Sequence, residues 1–393
     1  MGGPLGGHLS IWLYWGCAAI LVAVWLAYPI LLRGLEFATC FRGQKVVGES
    51  DQALFGVSIL IAAHNEEIRI VSRINNIYAC DYPEDLIEVV VVSDGSDDDT
   101  VRQVREHVEK HGGKIKVIDL KPQRGRAHAH NVGMSKCSER IVVFTDADTE
   151  FERNFLRKIV APFQDRAVGY ASGMLKYRNR DSSDIAQSAG LYWRFEYLLR
   201  RLETRLGVYV FGSGACCAVR KELFRDIPAS GDVDFTTPLD VVLQGYKCVH
   251  VDDAVAYDEM PDNPKREFRA RVRMTAKNFH GMITRWGVRG LVQHPIYSLA
   301  IFFHKIGRWL TPFAMIVVFI SNFFLLQDGV LYQVAVGIQV LFYLLAVLGL
   351  MKVPVPLAAQ VYSFCLANAG FMVGVLKALA GRVPAAYTPV NKI

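Results

Sequence analysis

Arg140–Glu150, RIVVFTDADTE, decides how the chain is read. Ile141 to Phe144 form a short apolar run with the length of a buried strand. The run ends in Thr145-Asp146-Ala147-Asp148, and alternation along an extended chain places Asp146 and Asp148 on one side. At the C-terminal edge of a parallel sheet, both carboxylates face the crevice where open α/β folds bind ligands. Hard divalent cations, Mg²⁺ or Mn²⁺, prefer such oxygens and are commonly shared with a substrate phosphate. A lone D-x-D is most often an acidic turn. The strand before it and the motifs around it favour a cation site here.

Upstream, Val57–Ala63 reads as another buried strand, running into His64-Asn65-Glu66-Glu67 and a helix. Ile87–Val92 is a second strand, ending in Ser93-Asp94-Gly95-Ser96, with Asp97 to Thr100 capping the next helix. Lys114–Leu120 is a third, and Arg124–Met134 is a Gly-containing turn into a helix. This strand–helix alternation implies an α/β fold with a mostly parallel, doubly wound sheet. Downstream, Val168–Tyr177 reads as a strand and Ser188–Leu206 as a helix with aromatics at Tyr192, Trp193, Phe195 and Tyr197. Phe211–Ala215 is Gly-rich, which permits close backbone approach. Asp232-Val233-Asp234-Phe235 opens a helix ending near Gln244, and Lys247–Val251 is a short strand.

The chain has 393 residues, 52% of them apolar, unevenly spread. Ile11–Leu32 is an uncharged run, and about 20 such residues span a bilayer as a helix. Further spans are expected near Trp309–Leu326, Leu331–Met351 and Val355–Leu379. No basic n-region precedes Ile11, so the first span is expected to be retained. Arg33, Arg42 and Lys45, and the basic stretch Lys265–Arg308, place the middle of the chain in the cytoplasm by the positive-inside tendency. Gln327–Gly329 is then outside and Lys352 inside, with Lys377, Arg382 and Lys392 weighing against an outer C-terminus.

The net charge of +6 is modest, and its basic residues crowd near expected membrane boundaries. That pattern suits anionic lipid headgroups better than nucleic acid. Pro264–Trp286 reads as a basic helix and Ile296–Trp309 as a second amphipathic piece at the membrane interface. The expected organisation is 1–51, membrane helix and linker; 52–262, cytoplasmic catalytic domain; 263–308, interface helices; 309–393, membrane helices. Eight Cys include no C-x-x-C pair, and Cys216-Cys217 reads as packing residues rather than a redox or zinc site.

The motifs SILIAAHNEE (Ser58–Glu67), VVVSDGSDDDT (Val90–Thr100), RGRAHAHNVGM (Arg124–Met134), FTDADTEF (Phe144–Phe151), GSGACCAVRKELF (Gly212–Phe224) and DVDFTTPLDVVLQGY (Asp232–Tyr246) follow in order. This set resembles the inverting family 2 glycosyltransferases with the GT-A fold, a Rossmann-like nucleotide-sugar domain. The layout of one N-terminal and about three C-terminal spans is similar to the integrated synthases of cellulose, chitin, hyaluronan and poly-N-acetylglucosamine. The resemblance implies that Ala63 and Glu66 touch the nucleoside, Asp94 recognises uracil and Arg126 approaches the nucleotide. It also implies that Asp146 and Asp148 hold the diphosphate through Mg²⁺ or Mn²⁺, that Gly212–Ala215 lines the acceptor site, and that Asp234 is the catalytic base.

There are two departures. Val233 stands where an acid commonly precedes the base. The synthases' Gln/Arg-x-x-Arg-Trp signature is reduced to Arg269–Met274, with Met274 in place of Trp. Arg271 and Arg273 remain candidates for the diphosphate, since guanidinium matches phosphate oxygens. The lost Trp weakens the case for processive addition, which Trp286 or Trp193 would have to restore.

The first expectation is a membrane-bound β-glycosyltransferase in the plasma (inner) membrane, extending a glycan from a UDP-sugar, with accessory export subunits as possible partners. The second is transfer of one sugar to a lipid such as a polyprenyl phosphate. The third is a transport or scaffold protein with an inactive transferase domain.

Overall fold

The structure is a computed structural model that describes residues 4–40, 54–111, 114–178, 184–259 and 263–383. Its elements are α1 (Pro4–Val22), α2 (Tyr28–Cys40), β1 (Val57–Ala63), α3 (Ile70–Tyr78), β2 (Ile87–Asp94), α4 (Thr100–His111), β3 (Ile115–Leu120), α5 (Arg126–Lys136), β4 (Ile141–Thr145), β5 (Glu150–Phe151) and α6 (Phe155–Val160). Then follow β6 (Val168–Tyr177), α7 (Asp184–Arg205), β7 (Cys217–Arg220), α8 (Thr236–Leu243), β8 (Lys247–Asp258) and α9 (Pro264–Gly281). The chain ends in α10 (Gly287–Gln293), α11 (Pro295–Ile301), α12 (Gly307–Phe324), α13 (Val330–Leu350) and α14 (Ala358–Leu379).

One eight-stranded sheet has the order β3-β2-β1-β4-β7-β6-β8-β5. Its first four strands are parallel. They are apolar runs because both faces are covered: α3 and α6 lie over Ile59, Ile61, Val89 and Val143, while α5 lies over Leu60, Val90, Val92 and Phe144. The parallel pattern stops at β7, which runs antiparallel to both β4 and β6. The pairs β6–β8 and β5–β8 are parallel and antiparallel respectively. The expected mostly parallel sheet is therefore parallel in one half and mixed in the other. Cys216 and Cys217 are wholly buried, as small packing residues.

Among the described residues, four helical runs are long and apolar enough to cross a membrane: His8–Ala38, Pro295–Phe324, Val330–Leu350 and Ala358–Leu379. One precedes the sheet and three follow it, as expected. Arg42, Lys45 and Lys392 lie outside the described residues. The first C-terminal run begins earlier than the expected Trp309, because α11 continues through a π-helical turn, Phe302–Ile306, into α12. His304 and Arg308, read as part of a separate interface helix, lie on this run and are 0% and 2% exposed. They are buried because they are paired. Glu196 of α7 accepts from Lys305 Nζ at 2.9 Å and Arg308 Nη1 at 2.7 Å, and contacts His304 Nε2 at 3.1 Å. Glu203 contacts His304 Nδ1 at 2.8 Å and accepts from Tyr28 Oη of α2 at 2.7 Å. The membrane-type helices are thus joined to the sheet domain by a buried ionic network. The basic helix expected over Pro264–Trp286 is α9 with a π-helical turn, Met282–Trp286, at its end.

Candidate active site

The site lies along the C-terminal ends of β1, β2 and β4. The loops after β1 and β2 are tied together: Asn65 N donates to Ser96 Oγ, Glu66 N to Thr100 Oγ1 and Glu67 N to Asp98 Oδ2. Ala63 ends β1, and its methyl is buried at 2% exposure, so only its backbone is offered to a ligand. Glu66 stands at the rim, 3.6 Å from Arg69, with its carbonyl accepting from Arg69 N and Ile70 N at the start of α3.

Asp94, 4% exposed, has structural work that the sequence did not reveal. Its two oxygens accept from Arg124 N at 2.8 Å and Gly125 N at 2.7 Å. It thereby fixes the turn that launches α5. Gly125 has φ +97°, a backbone state that side chains disfavour. The turn aims Arg126, first residue of α5, across the crevice.

Arg126 is the hub of the site. Its Nη1 lies 3.0 Å from Asp146 Oδ1 and 3.3 Å from Oδ2. Asp146 foremost holds the guanidinium in its charged form; burial opposes this, and Asp232, Asp234 and Asp148 reinforce it. The two carboxylates after β4 and the two before α8 thus act on one cation. Gly214 closes the gap: a methyl group there would sit 3.0 Å from Arg126 Nη2 and 3.9 Å from Cβ of Asp234. Gly212 N donates to the Asp234 carbonyl at 2.9 Å, which joins the Gly-rich loop to the expected base. Burial, and then the neighbouring Asp232, push the Asp234 carboxyl up to about 6 against the pull of Arg126.

Asp148 lines a small cavity with Arg69, Glu150, Arg178, Tyr257, Asp258 and Glu259. Among the described residues no cluster of three or more His, Cys, Asp or Glu forms a complete metal cage. Two carboxylates of a D-x-D turn still fit a hard divalent cation that completes its shell with phosphate and water oxygens. The Nε of Arg126 is buried and has no hydrogen-bond partner among the described residues, as a group awaiting an anionic oxygen would be.

Other expected residues are elsewhere. Arg271 on α9 donates to Glu267 at 2.7 Å, and its guanidinium lies 4.6 Å from the Tyr192 ring and 5.7 Å from Phe371 of α14. It packs the seam between sheet domain and membrane-type helices. Arg273, two residues on, is half-buried on the same helix. Trp286 is 1% exposed and donates to Ser298 Oγ at 2.9 Å, so it offers no face to an acceptor. Trp193 is half-buried and stacks on Tyr197. Val233 is fully buried in the core, which explains why no acid stands there.

Three residues were missed. Arg73 of α3, 2% exposed, donates to Thr145 Oγ1 at 2.9 Å and supports the D-x-D turn from behind. Burial lowers its pKa to about 9, and the nearby acids Asp146, Glu150 and Asp148 work against that fall. Lys277 and Asp232 pair across α9 and the loop before α8. An Arg on the apolar face of α3 was the available signal for the first; nothing local signalled the pair.

Residues 58–228 match the model of Glycosyl transferase family 2. The chain is 27% identical over 177 residues to a poly-β-1,6-N-acetyl-D-glucosamine synthase of Staphylococcus epidermidis, covering 43% of this chain and 42% of that protein. It is 26% identical over 259 residues to the poly-β-1,6-N-acetyl-D-glucosamine synthase of Staphylococcus aureus, covering 63% and 60%. The chain therefore spans less than two thirds of these relatives. Mannosyltransferase PcManGT from Pyrobaculum calidifontis, solved with GDP-Man and Mn²⁺, superposes with a TM-score of 0.70 at 22% identity over 94% of this chain and 99% of that one. The fold is thus of the GT-A type, with membrane-type helices at both ends.

Proposed function

We propose that the chain, whose residues 58–228 carry a family 2 glycosyltransferase domain, is a membrane-bound inverting glycosyltransferase that extends a polysaccharide from a UDP-sugar. The observation that carries this reading is the convergence of Asp146, Asp148, Asp232 and Asp234 on Arg126. Asp146 and Asp148 would hold Mg²⁺ or Mn²⁺, which would supply neutralisation of the charge on the departing diphosphate. Arg126 contacts the nucleotide phosphates, and the loop ends bearing Ala63, Glu66 and Asp94 frame the nucleoside. Arg271 is left to the helix seam.

The chemistry of the residues follows from their places. An acceptor hydroxyl oxygen bonds to the anomeric carbon as the carbon–oxygen bond to the diphosphate breaks. The bonding pair leaves with the diphosphate, and Asp234 takes the hydroxyl proton. With its pKa near 6, Asp234 is largely ionised at neutral pH yet basic enough to accept that proton. Transfer should accordingly fall as pH drops through about 6.

The relatives' names make UDP-N-acetylglucosamine the first donor to test. The sheet domain faces the cytoplasm, the helices lie in the plasma (inner) membrane, and accessory subunits assist export. Purified protein in lipid is incubated with labelled UDP-sugars. A long polymer supports the reading. A single organic-extractable glycolipid replaces it with transfer to a lipid acceptor. If no donor yields either product, transferase activity is contradicted.

A further inference from the structure

The loop that carries Asp146 and Asp148 leaves the sheet at Thr145 and returns to it by Phe151, and both points are tied to one helix. Arg73 and Asn76 of α3 stand three residues apart and so share a face. Arg73 Nη2 donates to Thr145 Oγ1 at 2.9 Å, and its guanidinium carbon lies 3.9 Å from the centre of the Phe151 ring. Asn76 satisfies both backbone groups of Phe151. Its Nδ2 donates to the Phe151 carbonyl at 3.0 Å, and its Oδ1 accepts from Phe151 N at 2.8 Å. Arg73 Nη1 donates to the same Oδ1, which joins the two side chains.

The Asn76 carboxamide stands where a further strand would. β5 is two residues long, lies at the end of the sheet and pairs with β8. An edge strand leaves backbone groups without a ladder partner, and Asn76 supplies one. Arg73 is 2% exposed on the face of α3 that also buries Ile70, Ile74 and Ile77. A guanidinium is seldom buried among aliphatic side chains unless hydrogen bonds hold it there. At its head, α3 grows from the loop after β1: the Glu66 carbonyl accepts from Arg69 N and Ile70 N, both at 2.9 Å. One helix therefore carries the loop bearing Glu66 and, within about two turns, both ends of the loop bearing the two acids.

We propose that Arg73 and Asn76 are positioning residues for the cation site: they bracket the Asp146–Asp148 loop at Thr145 and Phe151, and so hold its two carboxylates ready for a divalent cation and in register with the loop at the head of α3. This rests on the reading of Asp146 and Asp148 as the cation's ligands. Neither Arg73 nor Asn76 touches the cation itself. The bracket acts by geometry, and the charge of Arg73 works the other way, because a cation behind the loop repels a cation in front of it. Loss of the bracket weakens cation binding, whereas loss of the charge alone strengthens it. The opposite signs separate the two roles.

The test does not rely on turnover. Mn²⁺ is titrated into full-length protein in lipid, with and without UDP, and free Mn²⁺ is read by electron paramagnetic resonance. Hydrogen exchange of the peptide spanning 145–151 is followed in metal-free protein beside peptides from β1 and β2. Asn76→Ala and Thr145→Val leave both acids and the Arg73 charge in place. Asn76→Ala should raise the Mn²⁺ dissociation constant about 10-fold, and Thr145→Val should raise it by a smaller factor. Arg73→Lys keeps the charge but lacks the planar fork that reaches Thr145 and Asn76 together, so it should weaken Mn²⁺ as Asn76→Ala does. Exchange should quicken over 145–151 and hold in β1 and β2. Wild-type Mn²⁺ affinity in Asn76→Ala or in Arg73→Lys overturns the inference. So does protection lost equally from β1 and β2, which makes the pair ordinary core. A wild type that takes up no Mn²⁺ even with UDP sinks the cation reading itself, and the bracket's role with it.

Discussion

Two ionic clusters among the described residues are built from the same groups in opposite proportions. Around Arg126, one guanidinium faces Asp146, Asp148, Asp232 and Asp234, with Lys277 reaching only Asp232. Around Glu196 and Glu203, two carboxylates face Arg200, His304, Lys305 and Arg308. The first is rich in acid and sits at a loop-lined crevice. The second is rich in base, and Glu196 and His304 are 1% and 0% exposed. An acidic cluster reachable from solvent is short of positive charge that a cation brings. A sealed basic cluster satisfies itself, and it pins α7 to α2 and α12. The first is proposed to serve chemistry, and the second holds helices together.

That contrast can be broken most severely at the base. Asp234→Asn should lower transfer by about 10²–10⁴-fold while nucleotide affinity holds, measured by labelled-sugar transfer beside calorimetry. Near-normal turnover would erase the functional half of the comparison. In the sealed cluster, Glu196→Ala should lower stability by about 3–5 kcal/mol, because it strands several buried cations. Unfolding in detergent by a thermal or denaturant series reads this, and a shift of only a few tenths would show that the joint is not structural.

A smaller effect is expected at Glu88, beneath the parallel half of the sheet. Burial would raise its carboxyl, but Lys116, Ser58 and Ser138 outweigh it and hold the group at about 2. A lowered folded-state pKa means stability present above the unfolded value, about 4.3, and lost as pH falls through that value toward 2. Glu88→Gln should cost about 1–3 kcal/mol near neutral pH and progressively less in acid. A cost that does not change with pH would remove Glu88 from the account.

The parallel half of the sheet was legible because strands covered on both faces are unbroken apolar runs; β1 has the bounds read from the residues alone. The mixed half was legible at β6, whose bounds were also read, but not at its other strands. β7 is four residues long and was hidden in a Gly-rich stretch, and β5 has two. β8 was read as ending at Val251 because Asp252-Asp253 breaks its apolar pattern, yet the strand runs on to Asp258 across a register shift. At the site, Asp146, Asp148 and Asp234 stood out because their motifs are local. The Asp232–Lys277 pair joins residues on separate elements, and no local pattern records it. Arg271 lies on Tyr192, away from Asp146 and Arg126 in the contacts it makes, because a guanidinium suits aromatic faces as well as phosphate.

The most direct test of the acid-rich crevice as a nucleotide-sugar site is calorimetric titration of UDP with and without Mn²⁺, comparing the wild type with the Asp146→Ala, Asp148→Ala double variant. The expected result is Mn²⁺-dependent binding in the wild type and its loss in the double variant, with thermal unfolding unchanged. Equal UDP affinity in both proteins, with the cation present, would contradict it.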